Sequence, residues 1–171
     1  MHHQIDVKFQ KLVPEAVVPT FGREGDVGAD LVCTSRHFDE NGAAVYGTGI
    51  ALQLPEGYYA DLRARSSIAK YDLVLANGVG TIDPNYRGEL ILKFKPSASF
   101  YDHADNPEAG TKTLTTDFVA LFEDAEEATL YEIGDKIGQL VVLPYPKVNF
   151  IEVEQVEDSN RGTAGFGSSG K

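Results

Sequence analysis

Tryptophan is absent from this 171-residue chain, and cysteine occurs once, at Cys33. A single thiol excludes a disulfide framework and any multi-cysteine zinc site within one chain. No window approaches the roughly 18 apolar residues of a membrane span. The opening residues (Met1, His2, His3, Gln4, then Asp6) lack a secretory pattern. These absences predict a soluble, cytoplasmic protein with no membrane partner. Positive charge is also scarce, with 15 Lys+Arg against 26 Asp+Glu and a net charge of −11. Non-specific duplex binding draws its affinity from neutralising phosphates, so an acidic chain argues against nucleic acid as a partner. What is present suits one folded domain: 42% hydrophobic and 24% charged residues, too apolar for a disordered chain.

The acidity is local. Between Tyr101 and Asp135 there are ten acids and one base, Lys112, a net charge of −9. The remaining 136 residues carry 14 bases and 16 acids, a net charge of only −2. Most of the chain therefore does not repel anions. The acidic stretch reads as a solvated surface insertion.

Apolar residues recur mainly with period two, the pattern of strands with one buried face. Ile5, Val7 and Phe9 alternate with polar neighbours, as do Ile50, Leu52 and Leu54, then Leu90, Leu92 and Phe94, then Val148 and Phe150. Turn signals separate them at Asn41-Gly42, Pro55-Glu56-Gly57, Asn77-Gly78 and Asp83-Pro84-Asn85. Short helices are expected only around Ser66–Tyr71 and Glu123–Ile133. The pattern predicts an all-β fold, a jelly-roll-like β-barrel or sandwich, over residues 1–160. Residues of about 96–131 read as an irregular acidic insertion, longer than an ordinary loop. Residues 161–171 read as a mobile glycine-rich tail that cannot build a core.

Five clusters carry residues suited to handling a phosphorylated ligand. Gly28-Ala29-Asp30-Leu31 places a carboxylate beside a tight turn, and Arg65-Ser66-Ser67 joins a guanidinium to two hydroxyls after a strand over Tyr59–Leu62. The run Asn77 to Gly88 holds an amide, Asp83 between Ile82 and Pro84, and the aromatic Tyr86. Gly134 to Leu140 places Gln139 at the start of an apolar strand. The tail Arg161 to Gly170 combines four glycines, two serines, an arginine and Phe166. Glycine lets backbone N–H groups approach phosphate, serine adds hydroxyl donors, and arginine adds a bidentate fork. Singly, each cluster has an ordinary role as a turn former, a surface charge, an edge amide or a solvated tail.

In this order the five clusters resemble the motifs of the homotrimeric deoxyuridine triphosphate nucleotidohydrolases, or dUTPases. That family's Gly-x-Asp-Leu is matched at Gly28–Leu31, and its Pro-x-Gly and Arg-Ser-Gly/Ser at Pro55–Gly57 and Arg65–Ser67. Its Gly-x-Ile-Asp-x-x-Tyr-Arg-Gly is matched at Gly80–Gly88 and its Gly-Asp-Arg-Ile-x-Gln-Leu at Gly134–Leu140. The glycine-rich Arg-Gly-x-x-Gly-Phe-Gly-Ser-Thr-Gly is matched at Arg161–Gly170. The likeness spans residue 26 to the C-terminus.

The resemblance implies hydrolysis of dUTP to dUMP and pyrophosphate, limiting uracil in DNA and supplying dUMP for thymidylate synthesis. Asp83 would orient the water that attacks the α-phosphorus, as a carboxylate can. Mg²⁺ on the triphosphate would neutralise charge, with Asp30 touching its water shell. Arg65, Ser66, Ser67 and Gln139 match phosphate-contacting positions, and Arg161, Ser168 and Ser169 those on the terminal phosphates. Asn77, with the backbone around Gly80 and Ile82, would read the uracil edge, and Tyr86 would pack beneath deoxyribose. Gly165, Phe166 and Gly167 would close over the base as part of a lid. The family implies a homotrimer whose subunits share each site.

Three substitutions and one insertion depart from the family pattern. Lys136 stands where arginine is common, Ala164 replaces a glycine and Ser169 a threonine. The acidic insertion lies between the third and fourth motifs, where some phage members carry extra residues. Its mixture of acids with Phe118, Val119, Leu121, Phe122, Leu130 and Tyr131 suggests a regulatory protein partner at residues 101–130. The rival reading is dCTP deaminase, or a bifunctional enzyme on the same fold. It shares Arg-Ser-Ser and Gly-Thr-Ile-Asp-Pro but requires a glutamate where this chain has Lys93 and a tryptophan in place of Tyr86.

Overall fold

The computed structural model of the protein describes residues 4–71, 73–96 and 130–163. Among these residues nine strands form two antiparallel sheets: β1 (Lys8–Lys11), β2 (Ala29–Val32), β3 (Ser35–Phe38), β4 (Ala44–Gln53), β5 (Tyr58–Arg63), β6 (Leu73–Leu75), β7 (Gly80–Ile82), β8 (Glu89–Pro96) and β9 (Lys136–Pro144). One sheet runs β1-β4-β8-β6, with β3 sharing the edge of β4 that β1 also uses. The other runs β2-β9-β5-β7. A short 3₁₀ turn covers Ser66–Lys70, where a helix was expected, and no other helix occurs among the described residues.

The period-two reading is visible in β8. Leu90, Leu92 and Phe94 are buried while Ile91 between them is exposed. Ile50, Leu52 and Leu54 likewise enter the core, joined by Leu31, Tyr46, Ala60, Leu62, Ile137 and Leu140 from both sheets. Each such large side chain contributes about 1.5–3 kcal/mol relative to exposure. The ten-residue β4 breaks register at Gly47–Ala51, where Gly49 takes φ +64 and a Cβ would strike Val13. The broken ladder is repaired locally: Glu89 Oε1 accepts the Gly49 N–H at 2.6 Å, and Thr48 Oγ1 donates to the Leu90 carbonyl at 2.8 Å.

Two expectations need correction. Val148 and Phe150 do not lie in a strand. The chain leaves β9 at Pro144, and Phe150 and Ile151 are 94% and 76% exposed, with no strand among the described residues pairing with them. Both edges of the stretch read as an insertion, about 96–131, meet the framework. Pro96 is still paired with Leu73 at the end of β8, while Tyr131 is buried in the core and Leu130 packs against it. Of the helix expected over Glu123–Ile133, the described residues 130–133 are not helical. Residues 97–129 lie outside the described residues, as do Phe118, Val119, Leu121 and Phe122.

Candidate active site

Three of the sequence clusters converge at one end of the second sheet. Strand β2 places Asp30 opposite Gln139 of β9, and β5 places Arg63 on the other side of Gln139. The chain leaves β5 and reaches Arg65, whose Nε donates to Asp30 Oδ1 at 2.9 Å. Gln139 Nε2 donates to the same oxygen at 3.3 Å, and Lys136 Nζ pairs with Oδ2 at 2.9 Å. Arg65 Nη1 also reaches Ser67 Oγ at 3.5 Å. Gly28 makes room for this: a Cβ there would sit 3.0 Å from Gln139 Cβ and Cδ.

Asp30 is 5% exposed, while Arg65 and Lys136 keep part of their side chains in solvent. Burial pushes the Asp30 carboxyl upward, but Lys136, Gln139 and Arg65 together outweigh it and hold the group below its ordinary value. One carboxylate against two cations leaves a local positive excess, flanked by the hydroxyls of Ser66 and Ser67. Such a cluster suits an anion with several oxygens.

A second cluster lies elsewhere on the sheet. The chain passes from β6 through Asn77-Gly78 into β7, with Gly78 at φ +69 and the Asn77 side-chain amide against Gly80. Asp83 follows β7 and is exposed, and its carbonyl accepts the Tyr86 N–H at 3.1 Å. Tyr86 Oη donates to the Glu89 carbonyl at 3.0 Å, and a Cβ at Gly88 would collide with the Tyr86 ring. Arg87 closes the turn by donating to the Pro84 and Tyr86 carbonyls at 2.8 and 2.7 Å. Asp83 opens onto a cleft of about 840 Å³ lined also by Tyr59, Thr81, Pro84, Asn85 and Tyr145.

Asp83 and the Asp30 cluster stand at opposite ends of β5, while Gly80 pairs with Leu62 nearer the Arg65 end. Ile82 pairs with Ala60, so Asp83 lies beside Tyr59 at the start of the strand. Arg65 lies beyond Arg63 at its far end. Four residue steps separate Tyr59 from Arg63, about 13 Å at a strand's rise, and Arg65 is two residues further on. One chain therefore does not bring Asp83 to Arg65, Ser66, Ser67, Gln139 and Asp30.

Arg161 lies in a turn closed by the Gly162 N–H on the Ser159 carbonyl at 3.0 Å. Gly165, Phe166, Gly167, Ser168 and Ser169 lie outside the described residues. Lys93, where the deaminase pattern requires a glutamate, sits on β8 of the other sheet, with its amine 2.9 Å from Asp39 Oδ2. Sequence reasoning missed the cleft-lining Tyr59, Thr81 and Tyr145. It also passed over Asp61, buried with its carboxylate 2.7 Å from Arg63, although an acid inside the apolar run Tyr59–Leu62 is itself a signal.

Comparison with known proteins agrees with the motifs. The dUTPase family model matches residues 14–99 and 118–170. The deoxyuridine 5′-triphosphate nucleotidohydrolase of Streptomyces griseus is 34% identical over 168 residues, covering 97% of this chain and 81% of that protein. Among solved structures, the Staphylococcus bacteriophage 80alpha dUTPase with dUpNHpp matches with a TM-score of 0.71 and 27% identity, covering 98% of this chain and 100% of that one. Phage dUTPases are described in connection with that structure as controlling transfer of virulence genes by a proto-oncogenic G protein-like mechanism. A point mutant of the dUTPase from phage phi11 of S. aureus, described with a structural Mg(II) ion, matches with a TM-score of 0.64 and 25% identity over 90% of this chain and all of that one. The protein is thus a nucleotide hydrolase built as an antiparallel β-sandwich. The chain belongs to the dUTPase family, and its reaction is the hydrolysis of dUTP.

Proposed function

We propose that hydrolysis occurs in sites assembled between copies of this chain, three chains forming a homotrimer that shares each site. The observation that carries this reading is the separation of Asp83 from Arg65, Ser66 and Gln139 along β5. Water attack at the α-phosphorus needs Asp83 within hydrogen-bond reach of that water while the same triphosphate is held by cations. One copy contributes Asp83, Tyr86 and Asn77, and a neighbour contributes Asp30, Arg65, Ser66, Ser67 and Gln139. The exposed apolar segment around Phe150 and Ile151 supports association, since such residues gain by being covered.

In this reading Asp83 accepts the proton of the attacking water, and the products are dUMP and pyrophosphate. Arg65, Gln139 and the Ser66 and Ser67 hydroxyls hold the phosphates, with Lys136 supplying a further charge. Asn77 and the backbone around Gly80 and Ile82 read the uracil edge, while Tyr86 lies under the sugar and leaves no room for a 2′-hydroxyl. Arg161, Gly165, Phe166, Gly167, Ser168 and Ser169 form the lid. No group of three His, Cys, Asp or Glu side chains able to hold a metal occurs among the described residues, and Asp30 already accepts from three donors. This fits Mg²⁺ arriving on the triphosphate and keeping its waters, with Asp30 touching only that water shell. When bound it neutralises charge on the phosphate oxygens.

The Asp83→Asn variant should bind dUTP but release no pyrophosphate, while the wild type spares dTTP, dCTP and UTP. Retained turnover in Asp83→Asn would remove Asp83 from the mechanism, and deamination of dCTP by the wild type would overturn the reaction. The acidic insertion supports a second, regulatory role through a protein partner at residues 101–130. Tyr131 is buried in the core and Leu130 packs against it, partly exposed. The protein works in the cytoplasm in this reading, and no helix among the described residues is long and apolar enough to cross a membrane.

A further inference from the structure

We infer that copies of this chain meet across the outer face of the second sheet, where Asp61 of one copy pairs with Arg63 of the next around the threefold axis. The inference deepens the reading that copies share each site, and it rests on that reading.

Strand parity defines the face. Ala60 and Leu62 of β5 enter the core, so Tyr59, Asp61 and Arg63 point away from it. The register carries this face across the sheet in three rows. Arg63 stands opposite Gln139, which stands opposite Asp30. Asp61 lies between Val141 and Thr81. Tyr59 stands opposite Leu143 and lines the cleft of Asp83. Both halves of the site therefore open on one face, with the Asp61 row between them.

Placing the Asp83 end of each copy on the Arg65 end of the next is a heterologous contact, which closes into a ring. Because both ends lie on the same face, that face turns inward and its middle row lies nearest the axis. Charge follows the same direction. Along β5 the Asp61 carboxylate lies toward the Asp83 end, and Arg63 lies toward the Arg65 end. An arrangement that sets Asp83 of one copy against Arg65 of the next thus also sets Asp61 against Arg63.

The side chains suit such a contact. Asp61 is only 6% exposed, and one hydrogen bond joins it to Arg63, from Nη2 to Oδ2 at 2.7 Å. A guanidinium carries five N–H donors, so that bond leaves most of the fork open. Arg63 is half-exposed, and Tyr59 and Leu143 are partly exposed beside the pair. Arginine and aromatic side chains are enriched where proteins meet. Brought together at the axis, each guanidinium bridges its own Asp61 and that of the next copy. Six charges then alternate in sign and sum to zero.

The test measures oligomer mass by light scattering over a range of concentrations. It uses full-length Asp61→Arg and Arg63→Asp, alone and co-expressed, with a melting curve to show that each chain folds. Alone, each variant places only like charges at the axis. Its half-assembly concentration should rise at least about a hundredfold over wild type. Co-expressed, the variants bring opposite charges together and should form mixed oligomers within about tenfold of wild type. Where a reversal does not fold, Asp61→Asn or Arg63→Gln takes its place. The expected rise is then about tenfold alone, with recovery on mixing.

Wild-type assembly in both single variants overturns the inference and leaves the shared-site reading standing. Dissociation that co-expression does not repair confines the pair to one chain and also overturns it. A wild type that stays monomeric at every concentration overturns the shared-site reading, and the inference falls with it.

Discussion

Asp30 holds three side chains in place, and its protonation state governs whether it does so. Burial pushes its pKa up, but Lys136, Gln139 and Arg65 bring it below the ordinary carboxylate value. A carboxyl whose folded pKa lies below its unfolded one stabilises the protein above the unfolded value, about 3.9, and loses that contribution as pH falls through the folded value. Asp30→Asn should therefore be less stable than wild type by about 1–3 kcal/mol at pH 7, with the partly exposed cations keeping the cost moderate. The deficit should shrink below about pH 4. Urea unfolding across that range checks it, and a pH-independent deficit would remove the ionic contribution. Cys33 behaves oppositely: burial pushes its thiol up to about 11. It should resist thiol reagents at pH 7 until the protein is unfolded, when one equivalent should react.

At the scale of elements, packing and chemistry meet at Gly138. A Cβ there would collide with Leu92 and approach the Arg63 carbonyl to 3.0 Å, one residue before Gln139. Gly138→Ala should cost about 1–3 kcal/mol in unfolding free energy and weaken dUTP binding by shifting Gln139. Unchanged stability would show that the sheets can separate to admit a methyl group. Truncation after Arg161 should leave a folded protein with severely reduced turnover, and unchanged turnover would remove the tail from the mechanism.

The strands of the core were legible because burial on one face writes a period of two, as Leu90, Leu92 and Phe94 do. The same signal at Val148 and Phe150 did not produce a strand, because alternation reports a face to be covered without naming the chain that covers it. Tyr131 was unreadable for another reason: it sits inside an acidic run, where composition suggests solvent, and only the fold shows it buried against Tyr71. The residue types of the site were legible from their motifs. Their distribution over two ends of β5 was not, since motif order carries no distance.

That distribution sets the behaviour of the whole molecule. The net charge of −11 is concentrated in Tyr101–Asp135, leaving the shared motifs close to neutral and the Asp30 cluster locally positive. In the proposed reading, a chain holding Asp83 at one end of a sheet and Arg65 at the other needs a second copy to act on one triphosphate. Complementation tests this most directly, by co-expressing Asp83→Asn with Arg65→Ala and assaying pyrophosphate release from the mixed oligomers. Each variant alone should be nearly inactive. Random mixing gives about a quarter of the sites both an intact Asp83 and an intact Arg65 from different chains, so activity should recover to about a quarter of wild type. Mixed oligomers no more active than the separate variants would place both groups within one chain's site and contradict the account.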